Sequence, residues 1–523
     1  MEEEKKRLPA DTRFELPVLL GSVFLIATCA IFYELLISTV SSYLQGGSVL
    51  QFSLTIGLFM FFMGIGSYVS RFFEKNLLDR FIDVEIILGV LGGSSTAFLY
   101  AAYSLTELYY LAMFLLIAVL GTLVGLEIPL VTRIVKQYST LKDTLAQVLS
   151  FDYVGALVAS VVFPLILLPY LGIMRTAFLV GILNVGVALF NSRIFVAQLQ
   201  YGKQQQRLSI AAMALLGAGF FYSFQIITFF EQFLYQDEII LTRQSPYQRL
   251  VITRWKDDYR LYIDGALQFS TADEYRYHEP LVHIPMLASA NRARVLLLGA
   301  GDGLALKHIL RYPDVQQVDL VDIDPVMTQL AAENPIFKTI NKGAMNDPRV
   351  KIYNQDAFKF VEQSTHSYGV IIVDLPDPKD TSLGKLYSRE FYLLLQKRLD
   401  YAGVMVTQAT SPYFANHAFW CIHKTLQSVF PVALPYHAYI PSFGLWGFVM
   451  AANKLPPTEQ LITQLQQKLP TVATSLQFLQ PQNLPHLFIF DADLQLSDTT
   501  LKVNKLDNQV LVGYYEAALK EWQ

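Results

Sequence analysis

Paired carboxylates in the C-terminal half are the residues best suited to chemistry. Asp374 and Asp377 follow the apolar run Gly369–Val373. Pro376 and Pro378 fix the turn that carries them. One carboxylate of such a pair can orient an ammonium group while the other removes its proton. Because an amine with a pKa of about 10 is almost wholly protonated at neutral pH, amine attack requires a general base. The pair therefore indicates a displacement in which a substrate amine is the nucleophile.

A glycine-rich turn upstream is typical of nucleoside binding. The turn, Gly299-Ala-Gly-Asp-Gly303, follows the apolar run Val295–Leu298, which has the pattern of a buried parallel strand. Gly299 and Gly301 let the backbone turn tightly and approach a ligand closely. Asp322 ends the next strand, about 20 residues on, where an acid can bind ribose hydroxyls. We therefore expect a nucleoside-binding βαβ unit at this point.

Asp302 lies inside this turn and narrows the choice of nucleoside. Its carboxylate would repel the pyrophosphate of a dinucleotide. It would attract a positive group near the ribose, such as a sulfonium nucleoside carries. Since the sulfonium charge also activates the leaving group, the reaction implied is in-line displacement at a carbon next to sulfur.

The elements that position these acids alternate between strand and helix patterns. Strands are predicted at Val295–Leu298, Val318–Asp322, Val350–Ala357, Gly369–Asp374 and Gly403–Gln408. Before them, residues 237–270 predict a small β-meander with an Asp264-Gly265 hairpin turn. The polar and aromatic run Asp273–Glu279 stands at the head of a helix and has the residue mixture of a binding site. The expected fold is an α/β doubly wound, Rossmann-like domain preceded by the meander.

The N-terminal half has the composition of an α-helical multi-pass membrane domain. Hydrophobic residues make up 53% of the chain and charged residues 16%, and the apolar excess precedes residue 231. A bilayer is crossed by roughly 20 apolar residues. About seven stretches qualify, near residues 17–40, 50–73, 84–104, 109–131, 151–171, 173–192 and 208–230. The predicted domains are 1–235 (transmembrane), 236–290 (β-meander and start of the substrate-binding helix), 291–455 (nucleoside-binding catalytic domain) and 456–523 (a C-terminal appendage without an assigned function).

Polar residues inside the apolar stretches support two hypotheses. The residues concerned are Glu34, Glu85, Glu127, Asp152 and Asn184. Ionisable groups are expensive inside a membrane, so a cation path is one hypothesis. The other is that these groups pair within the helix bundle or cap broken helices.

Several features argue against further ligands. The histidines show no metal-ligand spacing, so we expect no metal. Cys29 and Cys421 fall in different halves of the chain, so we expect no disulfide. A net charge of −4 gives no indication of nucleic-acid binding. The sequence leaves a homo-oligomer open.

Taken together, the motifs resemble those of the polyamine aminopropyltransferases, the spermidine synthase family. The resemblance covers about residues 240–452, and the apolar stretches before it make the chain similar to the membrane-fused bacterial members. The segments that carry it are Tyr247-Gln248, Leu261–Gly265, Gln268, Asp273–Glu279, Gly299–Gly303 and Asp374–Pro378.

The resemblance implies an activity and a set of roles. The activity is transfer of an aminopropyl group from decarboxylated S-adenosylmethionine to putrescine, which gives spermidine and 5′-methylthioadenosine and needs no further cofactor. Asp374 would accept the proton, and Asp302 would bind the aminopropyl amine. The residues expected to hold the diamine are Tyr277, His278 and Asp377, with Gln408 beside it. Those expected to hold the nucleoside are Gln248, Asp322, Asp356 and Ala357, together with Gly299 and Gly301 of the turn.

Two segments depart from the family pattern. Many members have Tyr-Pro-Ser-Gly where this chain has Ile440-Pro-Ser-Phe-Gly444, so that substrate tyrosine is missing or shifted. The usual Gly-Pro after the second carboxylate is replaced by Lys379-Asp380-Thr381. Putrescine is the favoured acceptor, with cadaverine or another amine as alternatives.

Two other functions compete with this interpretation of the same residues. A methyltransferase that uses S-adenosylmethionine needs a pocket for the donor's carboxylate, which Asp302 would repel. A membrane-bound polyamine sensor or transporter would bind amines without turnover. Asp374 and the Tyr277–His278 pair favour catalysis over this second alternative.

Loop charges bear on the orientation of the membrane half. Lys and Arg precede the first apolar stretch and recur in alternate loops, whereas loops 41–49 and 104–107 have neither. The positive-inside rule therefore places the N-terminus in the cytoplasm, and seven crossings would place the catalytic half outside. Because the expected donor is made in the cytoplasm, we instead expect a multi-pass protein of the cell (inner) membrane whose catalytic half faces inward.

Overall fold

The protein divides into two compact units. The computed structural model describes residues 12–45, 48–138, 141–235, 237–472, 476–496 and 500–522. The division falls between Glu238 and Ile239, close to the boundary expected from composition. Each unit has its own hydrophobic core.

The N-terminal unit is built from apolar helices. They are α1 (Thr12–Gln45), α2 (Ser48–Val69), α3 (Leu77–Gly93), α4 (Ser95–Leu105), α5 (Tyr109–Val135), α6 (Leu141–Val162), α7 (Leu168–Ile194), α8 (Gly202–Phe221) and α9 (Ser223–Leu234). Among the described residues, four helices are long and apolar enough to cross a membrane. The number rises to six if each of two bent pairs counts as one crossing.

The seven predicted stretches map onto these helices with two differences. The third and seventh stretches are bent pairs, α3 with α4 at 44° and α8 with α9 at 62°. The fifth and sixth belong to one helical run of 53 residues, Lys142–Ile194. A five-residue π-helical segment and a non-helical Gly172 interrupt that run. A straight helix of that length would measure about 80 Å, whereas the hydrocarbon core measures about 30 Å.

Polar groups inside this unit pair with one another in part. The Nδ2 of Asn184 donates to the Oε2 of Glu85 at 2.8 Å, and both residues are fully buried. Thus α3 and α7 are joined by a hydrogen bond within an apolar bundle, as the pairing hypothesis expects.

The second unit begins with a small antiparallel sheet. Its strands are β1 (Glu238–Gln244), β2 (Arg249–Trp255), β3 (Asp258–Ile263) and β4 (Ala266–Ser270), in the order β1-β2-β3-β4. Asp264 and Gly265 both have positive φ, 48° and 80°, as a two-residue hairpin turn requires. The predicted meander is thus present.

A larger mixed sheet follows. Its strands are β5 (Arg294–Gly299), β6 (Gln317–Asp322), β7 (Val350–Asn354), β8 (Tyr368–Asp374), β9 (Leu399–Gln408), β10 (Val432–Ile440) and β11 (Gly444–Ala452). Over the described residues they form a seven-stranded sheet in the order β10-β11-β9-β8-β5-β6-β7. The strands from β5 to β9 pair in parallel, whereas β11 pairs antiparallel with both β9 and β10. The sheet is therefore parallel only in part.

Helices cover both faces of this sheet. They are α10 (Tyr275–Ala288), α11 (Leu304–Ile309), α12 (Pro325–Glu333), α13 (Pro335–Ile340), α14 (Ala357–Gln363), α15 (Thr381–Gly384), α16 (Arg389–Arg398), α17 (Asn416–Gln427), α18 (Thr458–Lys468) and α19 (Val510–Trp522). Successive strand residues face opposite sides, so Leu297 and Ile372 join one core while Leu296 and Ile371 join the other. The continuous apolar runs in the sequence reflect this two-sided burial.

One strand prediction was too long. β7 ends at Asn354, and the side chain of Asp356 instead caps α14 by accepting a hydrogen bond from the Lys359 amide at 3.1 Å. Ala357 is accordingly the first residue of α14. A carboxylate that precedes a helix satisfies the free amides of its first turn, and this local contact ends the strand.

The C-terminal segment is integrated into the second unit. The buried carboxylate of Glu279 on α10 accepts hydrogen bonds from the backbone amides of Gln477, Phe478 and Leu479 at 2.8–2.9 Å. Leu511 of α19 lies in the core on one face of the large sheet.

Candidate active site

The candidate site lies where the connections of the large sheet change face. The helix after β5, α11, packs in one core, whereas the helix after β8, α16, packs in the other. A crevice forms at the carboxyl ends of the strands at such a point, and ligands bind there. Gly299 and Asp374 end the two strands and are register partners.

The glycine turn and the end of β6 form the predicted nucleoside side. The Gly301 amide donates to the Oδ2 of Asp322 at 3.1 Å, and the Asp324 amide donates to its Oδ1 at 2.8 Å. A Cβ on Gly301 would lie 2.4 Å from that Oδ2, so a larger residue would have to displace the Asp322 carboxylate. Burial raises the pKa of Asp322 to about 6, against the effect of the two backbone hydrogen bonds.

Asp302 faces the same crevice from the turn. Its Oδ1 accepts a hydrogen bond from the Leu304 amide at 2.8 Å, at the start of α11. Burial raises its pKa, while the positive charges of His278 and Lys307 oppose that rise. A negative group is thus held at the turn, as expected for a site that attracts an amine.

Asp374, the predicted base, is positioned by a tyrosine from another element. The hydroxyl of Tyr277 on α10 donates to its Oδ1 at 2.6 Å. Burial raises the pKa of Asp374 to about 6, and the nearby Asp302 also raises it, whereas His278 and the Tyr277 hydrogen bond lower it. Asp374 is partly exposed as a residue. Because its pKa is about 6, its carboxyl group is mostly ionised at neutral pH.

His278 contacts Glu274, which forms a buried ion pair with Lys307. Its Nδ1 lies 2.8 Å from the Oε2 of Glu274, whose other oxygen binds the ammonium of Lys307. Although burial lowers the pKa of His278, the hydrogen bond and charge of Glu274 raise it overall. The negative charges of Asp302 and Asp374 also raise the pKa of His278.

Asp377 is bound by residues from two further elements. The Nε2 of Gln408 lies 3.3 Å from its Oδ1, and the hydroxyl of Tyr515 on α19 donates to its Oδ2 at 2.8 Å. Burial raises the pKa of Asp377 to about 6, and both hydrogen bonds lower it. Gln408 also donates to the Leu375 carbonyl at 2.7 Å and contacts the hydroxyl of the buried Tyr387. Tyr515 and Tyr387 were not anticipated, because no local motif marks them.

Two predicted nucleoside contacts have protein partners of their own. The Nε2 of Gln248 donates to the Oδ2 of Asp324 at 2.8 Å, next to the end of β6. The carboxylate of Asp356 forms an ion pair with Lys385 at 2.7 Å, which lowers its pKa. Their roles toward a nucleoside, like that of Ala357, stay predictions.

The segment that departs from the family pattern contributes aromatic rings. The rings of Phe443 and Trp446 each lie 6.4 Å from that of Tyr277, centroid to centroid. Asp273 fixes this segment by accepting hydrogen bonds from the amide and hydroxyl of Ser442 at 2.7 and 2.9 Å. Tyr277, which donates to the predicted general base Asp374, is thus packed against an aromatic surface.

The described part of the chain shows no group of three or more His, Cys, Asp or Glu side chains able to hold a metal.

Comparisons with known proteins identify the family of the chain. Residues 274–461 match the family model described as the spermine/spermidine synthase domain. A polyamine aminopropyltransferase of Leptospira interrogans is 43% identical over 96% of this chain and 98% of its own length. One of Oceanobacillus iheyensis is 39% identical over 95% and 96%, respectively. A crystal structure of spermidine synthase in complex with the transition-state analogue AdoDATO covers 49% of this chain and 86% of its own, at 25% identity and a TM-score of 0.46.

Proposed function

Because the chain belongs to the polyamine aminopropyltransferase family, we propose that it transfers the aminopropyl group of decarboxylated S-adenosylmethionine to putrescine. The products are spermidine and 5′-methylthioadenosine. The observation that carries the proposal is the carboxylate of Asp374, held by Tyr277 at 2.6 Å beside a nucleoside turn that contains a second acid. This arrangement supplies both a base for an amine and a counter-charge for the donor.

The donor side binds by charge and by close backbone approach. Asp322 receives the ribose hydroxyls at the end of β6, and the glycines of the turn leave room for the nucleoside. Asp302 receives the ammonium of the aminopropyl chain. The same carboxylate would repel the additional carboxylate of S-adenosylmethionine, and this argues against methyl transfer.

The acceptor side prepares the nucleophile. Asp377 and His278 lie near the diamine, and Asp374 takes the proton from the attacking amine. The amine nitrogen forms a bond to the methylene carbon next to sulfur, while the carbon–sulfur bond breaks and its electron pair neutralises the sulfonium. Since the pKa of Asp374 is about 6, the carboxylate is free to accept a proton at pH 7–8.

A product assay on the purified full-length protein tests the proposal. Decarboxylated S-adenosylmethionine is supplied with putrescine, cadaverine or spermidine, and methylthioadenosine and the new polyamine are quantified. We expect spermidine from putrescine as the main product. Replacing Asp374 by Asn should lower turnover by roughly 100- to 10,000-fold while nucleoside binding is retained. Nucleoside binding without any methylthioadenosine from wild type would indicate a binding protein instead.

We also propose that the helical unit lies in the cell membrane with the catalytic unit in the cytoplasm, where the donor is made. The long apolar helices of the N-terminal unit support this location. The bent pair α8–α9, at 62°, allows a segment that enters the membrane without crossing it, and this would reconcile the loop charges with a cytoplasmic catalytic unit. C-terminal fusions to green fluorescent protein and to alkaline phosphatase test the orientation. Fluorescence without phosphatase activity is expected, and the reverse pattern would place the catalytic unit outside.

A further inference from the structure

The C-terminal helix reaches into the acceptor half of the candidate site. The hydroxyl of Tyr515 donates to the Oδ2 of Asp377 at 2.8 Å, across 138 positions of sequence. The family model ends at residue 461, so this helix lies outside the matched domain. In the described part of the chain, each carboxylate oxygen of Asp377 has one hydrogen-bond donor. Tyr515 donates to Oδ2 and Gln408 donates to Oδ1.

The position of this hydroxyl is set by close packing rather than by chance contact. A Cβ on Gly384 would lie 2.7 Å from a methyl group of Val512, so α19 lies directly against the loop that follows Asp377. The buried side chain of Asn504 donates to the carbonyls of Gly384 and Tyr387 at 3.0 and 3.1 Å. The loop and the C-terminal segment are thus joined next to the carboxylate.

Such a fixed carboxylate is suited to an ammonium ligand. Asp377 is partly exposed, whereas Gln408 and Tyr387 behind it are buried. With one donor fixed on each oxygen, the remaining lone pairs point in a defined direction. A charge-assisted hydrogen bond to an ammonium depends on that direction. Without the tyrosine hydroxyl, the carboxylate would lose both its orientation and part of the stabilisation of its charged form.

We propose that Tyr515 is a positioning residue of the acceptor-amine site, which makes the C-terminal segment 500–522 a functional part of the active site. It acts through Asp377 and determines how tightly the acceptor diamine binds. The inference rests on the proposed aminopropyl transfer and deepens it on the acceptor side. It also assigns a role to a tyrosine outside the segment where the family pattern has its own.

A pair of matched variants of the full-length protein tests this role. Tyr515→Phe removes only the hydroxyl, and Tyr514→Phe removes the neighbouring hydroxyl, which accepts a hydrogen bond from the Lys502 amide at 3.4 Å. For Tyr515→Phe we expect KM for putrescine to rise by about tenfold or more, as for loss of a hydrogen bond to a charged group. The kcat and the KM for decarboxylated S-adenosylmethionine should change less than about threefold. Tyr514→Phe should resemble the wild type in all three constants.

The pH dependence gives a readout that a merely structural role would not change. Because the tyrosine hydrogen bond lowers the pKa of Asp377, its loss should move the acid side of the kcat/KM profile for putrescine to higher pH. An equal loss for both variants, or a change confined to the donor constants, would overturn the inference.

Binding measurements separate failure of this inference from failure of the proposed function. Putrescine is titrated calorimetrically into each variant in the presence of methylthioadenosine, without turnover. If the wild type binds the diamine but forms no product, the proposed reaction fails, and weaker binding by Tyr515→Phe alone still supports the positioning role. Equal binding by the wild type and both variants, or no binding by the wild type, would refute it.

Discussion

Gly299 and Asp374 touch through their backbones at the centre of the sheet. They are register partners on β5 and β8, and a Cβ on Gly299 would lie 2.0 Å from the carbonyl oxygen of Asp374. The Ala300 amide donates to that same carbonyl at 3.2 Å. The predicted nucleoside turn and the predicted base are therefore in direct backbone contact.

Replacing Gly299 by Ala should disturb the base without touching its side chain. The new methyl group would collide with the Asp374 carbonyl, and the φ of 78° at this position is strained for any L side chain. We expect kcat to fall by about tenfold or more, measured by methylthioadenosine release. The control is Gly265→Ala, which has the same kind of strain at φ 80° but no atom within 4 Å of the added Cβ. Similar losses in both variants would show that strain alone is responsible.

The activity should decline on acidification around pH 6. The pKa values of Asp374 and Asp377 are both raised to about 6 by burial, so both carboxylates become protonated well above the usual range for aspartate. The protonated forms can neither accept the amine proton nor bind an ammonium. We expect log kcat/KM for putrescine to rise with pH up to about 7, with apparent pKa values that belong to the pair. A profile flat between pH 5 and 8 would contradict these assignments.

Glu274→Gln should move the acid side of the kcat/KM profile for putrescine to higher pH. Glu274 raises the pKa of His278, and the charge of His278 in turn lowers the pKa of Asp374. With a neutral glutamine, His278 loses its proton more readily and the pKa of Asp374 rises. The matched control is Glu333→Gln, the same change at an exposed position on α12. If the acid side of the profile of Glu274→Gln were unchanged, His278 would have no electrostatic influence on Asp374.

Asp302→Asn should weaken the preference for the decarboxylated donor. The carboxylate attracts the aminopropyl ammonium and repels the carboxylate of S-adenosylmethionine, and its loss removes both effects. We expect the dissociation constant of the decarboxylated nucleoside to rise by about tenfold and that of S-adenosylmethionine to fall or stay the same. Calorimetric titration of both nucleosides measures the ratio. A ratio equal to that of the wild type would remove Asp302 from donor recognition.

The sequence predicted the parts of the site that depend on local pattern. The glycine turn after β5 and the acids at the ends of β6 and β8 follow from apolar runs that stop at polar residues. The family assignment made from these motifs was confirmed by relatives that match nearly the whole chain. The Tyr277–Asp374 contact brings together two residues that were singled out separately, although their distance was not predictable.

The parts that escaped prediction are pairings between distant segments. Tyr515 belongs to a short amphipathic helix whose sequence carries no site motif, and only the folded chain brings it to Asp377. The antiparallel pairing of β11 with β9 likewise depends on the path of the chain rather than on composition. Asp356 was expected at the end of a strand that runs to Ala357, whereas its capping of α14 is a local contact that hydropathy does not show.

On the large sheet, the boundary between β5 and β8 also separates the predicted nucleoside contacts from the predicted acceptor-amine contacts. The residues predicted to contact the nucleoside follow β5, β6 and β7 or precede β2, whereas those predicted to contact the acceptor amine follow β8, end β9 or come from α10 and α19. On these assignments, we expect substitutions on the amine side to change the acceptor preference and to leave the nucleoside contacts in place. Because α19 carries Tyr515, the last helix of the chain is one of the segments in which we expect substitutions to change the acceptor preference.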